Sequence, residues 1–110
     1  MIVKFKKNSE DYPDMTSGQH YAVIGIEADN LRVLNDQGRP YLYPPRLFEV
    51  TDYRQPSDWI TETGEDGEKY AYPLQLNRSG FFEDFFDGEA EAVAAFWRTV
   101  NWQLSAAEAV

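Results

Sequence analysis

Chemistry in this chain would have to start from His20 and from two groups of carboxylates. His20 is the single histidine, and imidazole is the side chain whose ordinary pKa lies near neutrality, which makes it the first candidate for acid–base work. Ser17 and Tyr21 stand near it in sequence. A serine–histidine–carboxylate site needs a convergence that no spacing here suggests, and no Gly-x-Ser-x-Gly pattern occurs. The groups Glu65-Asp66-Glu68 and Glu83-Asp84-Asp87 carry the residue types that glycosidases and divalent cations use, without the alternation and distal Glu of a calcium loop. The seven glycines form neither Gly-x-Gly-x-x-Gly nor a P-loop. With no cysteine and one histidine, disulfides and thiolate metal sites are excluded, and zinc would depend mostly on carboxylates. The expectation is a protein that is not an enzyme, with no catalytic residues, no cofactor and no metal. A small enzyme is kept as the last of three readings.

What the carboxylates offer instead is charge. The chain of 110 residues has a net charge of −9, which argues against direct binding of nucleic-acid phosphates or anionic membrane surfaces. From Met1 to Gln55 there are eight acidic and seven basic residues; from Pro56 to Val110 there are eleven and three. Solvating carboxylates serve solubility in many proteins, but this asymmetry also describes an acidic face for a basic protein partner. The candidate partner-binding residues are Glu62, Glu65, Asp66 and Glu68, then Glu83, Asp84, Asp87, Glu89 and Glu91, with Trp102 as an anchor. Lys4, Lys6 and Lys7 form the only basic cluster and read as solubilising an edge strand.

The elements that must position these residues are short and mostly extended. One domain over 1–110 is expected, because 43% hydrophobic and 15% aromatic residues supply the apolar surface that folding needs. Met1 to Lys6 alternates apolar and polar; His20 to Ile26 and Leu31 to Leu34 flank the turn Ala28-Asp29-Asn30; and Asn35-Asp36-Gln37-Gly38 leads into Arg39 to Tyr43. These runs predict one strand and then a three-strand meander beyond a loop at 8–18. Pro44 and Pro45 remove two ladder donors, so a 3₁₀ turn is expected before a strand from Phe48 to Tyr53. Trp59 to Thr63 and Lys69 to Tyr72 flank Gly64-Glu65-Asp66-Gly67, a hairpin with an acidic tip.

Residues 73–88 read as irregular and aromatic, with Phe81, Phe82, Phe85 and Phe86 packed over an open end of the barrel that residues 1–72 would form. Residues 89–106 read as a C-terminal amphipathic helix, capped by Asp87 or Gly88, with Val93, Phe96, Trp97, Val100 and Leu104 on its core face. Trp102 falls nearly opposite Val93 and should point away from that core. The N-terminus, Met-Ile-Val-Lys-Phe-Lys-Lys, reads as neither signal peptide nor membrane span. A cytoplasmic protein is expected.

The stretch Thr16-Ser17-Gly18-Gln19-His20-Tyr21-Ala22-Val23-Ile24-Gly25-Ile26, then Asn35-Asp36-Gln37-Gly38-Arg39-Pro40, then Tyr43-Pro44-Pro45-Arg46-Leu47-Phe48-Glu49, resembles small bacterial proteins with an SH3-like barrel. The resemblance implies a mainly β (α+β) fold, a small SH3-like antiparallel β-barrel followed by the helix. Similar small acidic proteins include immunity proteins of bacterial toxin systems. The expected function is accordingly a non-catalytic acidic interaction protein, an immunity protein that neutralises a cognate toxin by binding and occlusion. Acidic charge would steer it onto the basic surface of a toxin or nuclease. The alternative is a DNA-mimic inhibitor of a nuclease or of a restriction or defence system, which would line carboxylates along a convex face. The small enzyme would need a deep polar pocket around His20 or around Glu83-Asp84-Asp87. The oligomeric state stays open.

Overall fold

The computed structural model describes residues 1–7 and 10–108; Asn8 and Ser9, at the start of the expected loop, lie outside the described residues. Alternating apolar runs become seven strands: β1 Ile2–Phe5, β2 His20–Glu27, β3 Asn30–Leu34, β4 Pro40–Tyr43, β5 Phe48–Asp52, β6 Trp59–Thr63 and β7 Lys69–Pro73. The meander β2-β3-β4 forms as expected, and 3₁₀ backbone at Pro45–Leu47 begins at the second of the two prolines. Neighbouring strands run β4-β3-β2-β1-β5, all antiparallel. The hairpin β6-β7 joins through Ile26 opposite Ala71 on β2. β1 therefore lies between β2 and β5, which corrects the edge-strand reading of Lys4, Lys6 and Lys7. Its pairing partners come from distant positions in the chain, where no local pattern shows them.

β2 organises the molecule. Its first half pairs with β1, and its second half lies between β3 and β7. Between Val23 and Gly25 the register with β3 slips by one residue, a bulge that switches which side chains face which side. Tyr21, Val23 and Ile26 enter a core with Phe5, Val33 and Phe48, whereas Ile24 enters a second core on the opposite face. Ala28 and Asp29 both take positive φ, 49° and 68°, the left-handed pair that suits the twist of a two-residue hairpin. The Asp29 carboxylate accepts from the Lys69 N–H at 2.9 Å, which ties this turn to β7.

The second core corrects the reading of residues 73–88. They hold a 3₁₀ turn at Leu74–Leu76 and a short helix, α1, at Phe81–Phe86. Gly80 at φ 78° precedes α1, and Gly88 at φ 76° follows it. One and a half turns are too few to show helical periodicity in sequence. Phe81, Phe82 and Phe85 do not plug an end of a barrel. They pack with Tyr72 and Leu76 against the second helix, α2, Ala90–Glu108. Glu89, rather than Asp87 or Gly88, caps α2: its carboxylate accepts from the Glu91 and Ala92 N–H groups at 3.1 Å each, the bonding that an N-cap provides. Phe96 and Val100 are buried with Ala92 and Thr99, while Val93 and Trp97 lie on the flank. Leu104, expected on the core face, is 41% exposed because α2 has left the core by that turn.

Tyr43 ties the segment before β2 to the sheet. Its hydroxyl donates to Asp14 Oδ2 at 2.6 Å and accepts from Asn35 Nδ2 at 3.0 Å. Burial, then the Asp14 carboxylate, push this phenol well above its ordinary range, and burial does the same for Tyr72. In the unfolded chain both titrate at about pH 10. Their stabilisation is complete below that pH and is lost above it, as the unfolded state sheds protons that the folded state retains. Urea unfolding at about pH 9 and about pH 11 should show a stability loss that Tyr43→Phe reduces. An undiminished loss in that variant would exclude Tyr43 as a source.

Candidate functional site

A cavity of about 940 Å³ lies between the β2–β3–β7 side of the sheet and the chain from Leu76 through α1. Its floor is built around Arg32. Strand alternation sends Leu31 and Val33 into the first core, so Arg32 must face the other way, where it is 5% exposed. A guanidinium taken out of water is tolerated only when its donors are satisfied. Nε donates to the Tyr72 hydroxyl at 2.8 Å, Nη1 to the Pro40 carbonyl at 2.9 Å, and Nη2 to Glu27 Oε1 at 3.2 Å. Tyr72 in turn donates to Glu27 Oε1 at 2.9 Å, and the guanidinium carbon lies 3.9 Å above the Phe82 ring. Gly25 makes room for this network: a Cβ there would overlap the Tyr72 ring and come within 2.9 Å of the Ala71 carbonyl.

A second arginine on the wall repeats the arrangement. Arg78 Nη2 pairs with Asp84 Oδ2 at 2.9 Å, and its guanidinium lies 5.3 Å from the Phe81 ring centre. Glu62 from β6, Glu83 from α1 and Asp87 just after α1 line the same cavity and are exposed. None of the three has an ion-pair partner among the described residues. Glu62 does accept a hydrogen bond from Asn77 Nδ2 at 3.3 Å. Phe86, 41% exposed, stands at the rim, stacked on Tyr41 with ring centres 5.6 Å apart.

The other residues singled out from sequence are dispersed. Glu65 and Asp66 sit exposed in the β6–β7 turn, outside the cavity lining. Glu68 folds back within that turn to accept from the Asp66 N–H at 2.9 Å. Asp84 serves Arg78, Glu89 caps α2, and Glu91 is exposed in its first turn. Trp102, 64% exposed, lines a separate hollow of about 370 Å³ with Asp58 and Arg98. His20 is exposed opposite Lys4 and lines neither cavity. No group of three or more metal-ligating side chains comes together among the described residues.

Sequence reasoning missed Glu27, Arg32, Tyr70, Tyr72, Arg78 and Phe86 as cavity residues. One signal was available, an arginine at the centre of the apolar run Leu31-Arg32-Val33-Leu34, where a buried polar role is the informative exception.

Fold and site together define an α+β protein, mainly antiparallel sheet with two helices, bearing an acid-rimmed aromatic cleft. No family model, no curated protein and no solved structure matches the chain. Among the described residues no helix is long and apolar enough to cross a membrane.

Proposed function

We propose that this chain is a non-catalytic acidic interaction protein of the immunity type, which neutralises a basic toxin by binding and occluding it. One observation carries the reading: Glu62 lies more than twenty positions before Glu83 and Asp87, yet all three converge, without ion-pair partners among the described residues, on one aromatic cleft. Unpaired carboxylates around a concavity attract a cationic surface and speed its approach. The same concavity argues against a DNA mimic, which would carry its charge on a convex face. His20 lies outside the cleft, which favours binding over acid–base chemistry there. An SH3-like arrangement of the first five strands belongs to the same reading, supported by the order β4-β3-β2-β1-β5 and by the 3₁₀ turn between β4 and β5.

The test uses the product of the neighbouring reading frame. The chain should bind that product and relieve its toxicity, with an association rate that falls as salt rises. Glu62→Lys with Glu83→Lys should weaken binding by about tenfold or more, chiefly by slowing association. Relief of toxicity that is equal for the parent and the reversed variant would refute the proposal.

A further inference from the structure

We infer that the cleft selects an arginine side chain on its partner rather than positive charge in general, an inference that rests on the interaction reading above. The lining itself supplies the argument. It already holds two guanidinium groups in one arrangement, each against a phenyl ring and beside a carboxylate: Arg32 over Phe82 with Glu27, and Arg78 near Phe81 with Asp84. Both of those cations are committed. What remains around the same cavity is the other half of a third such unit: the carboxylates of Glu83 and Asp87 at α1 and of Glu62 on β6, and the rings of Phe86 and Tyr70. Phe86 is partly exposed and held by its stack on Tyr41, so a planar cation meets a ring that is already ordered.

Guanidinium suits these groups better than ammonium does. It is flat, weakly hydrated and always charged; it stacks on aromatic faces and presents a fork of donors that matches a carboxylate. A lysine ammonium would satisfy the charge of Glu83 and Asp87 but would gain less from the ring and lose more hydration. The occupant is therefore an arginine projecting from a basic protein, seated between the α1 end of the cleft and β6.

The experiment titrates the isotopically labelled full chain with two peptides of equal length and charge, one alternating glycine and arginine, the other glycine and lysine. Affinities and amide shifts are followed by NMR at low salt. The arginine peptide should bind about fivefold tighter, the ratio that roughly 1 kcal/mol of cation–π contact provides. Its shifts should centre on Glu62, Glu83, Phe86 and Asp87. Phe86→Ala should abolish the preference by weakening the arginine peptide more than the lysine peptide, and Glu83→Gln should weaken both peptides whether or not the Phe86 variant folds. Equal, salt-sensitive affinities would overturn the arginine inference and leave the interaction reading standing. The same holds if the shifts lie at Glu65 and Asp66. No binding of either peptide would count against both. Self-association through the chain's own arginines, seen as peptide-displaced dimers in sedimentation, would replace the foreign partner with a second copy and overturn the assignment.

Discussion

Truncating Phe96 to alanine is expected to lower the unfolding free energy by about 3–5 kcal/mol, the usual cost of removing a large buried aromatic ring. Phe96 is 0% exposed and meets Phe85 at 4.6 Å and Phe82 at 6.0 Å between ring centres. It packs α2 against the phenylalanines of α1 within the second core. A loss of that size is a large fraction of the total stability of an ordinary domain, and urea unfolding followed by circular dichroism would measure it. The effect should reach the cleft, because Phe82 is the ring beneath Arg32. A cost below about 1 kcal/mol would mean that the helical layer contributes little to the cooperative fold, and the floor of the cleft could not then be a rigid platform.

The second large effect is expected at Gly25. Alanine there should destabilise by about 3 kcal/mol, at the upper end of overpacking costs, since its Cβ would compete with the Tyr72 ring and approach the Ala71 carbonyl. The bulge makes this position unforgiving. It faces the second core beside Arg32, its partner on β3, and the backbone of β7 lies close behind. Tyr72→Ala has its own cost, through the hydroxyl that bridges Arg32 and Glu27. The double variant should cost less than the sum of the two single costs by about 1–2 kcal/mol, the signature of neighbours that share space. Strict additivity would show that ring and Cβ do not compete.

Both effects concern the part of the molecule least legible in the sequence. The strands were readable because alternation and turn residues act within a few positions: Pro44-Pro45 marks the 3₁₀ turn, and Gly64 to Gly67 marks the hairpin. α1 was not readable, because six residues give too little period, and four phenylalanines look the same whether they cover a barrel end or line a helix. The face of α2 was half readable. Phe96 and Val100 are buried on the expected side, whereas Leu104 is not, since where a helix leaves its core depends on the length of what it packs against.

The acidic candidates divide in the same way. Their concentration after Pro56 is a property of the sequence, and no folding could change it. Which of them remain available was decided by tertiary structure: Glu68, Asp84 and Glu89 are taken by a turn, an arginine and a helix cap, while Glu62, Glu83 and Asp87 come together at one cleft. The sequence by itself determined the kinds of elements and the sign of the charge, because both follow from local residue types. Only the tertiary structure decided the bulge that turns β2 between two cores, the arginine buried beneath the cleft and the carboxylates left without ion-pair partners at its rim among the described residues. Each of those depends on strand register and helix packing between residues far apart in the chain, where local pattern carries no information.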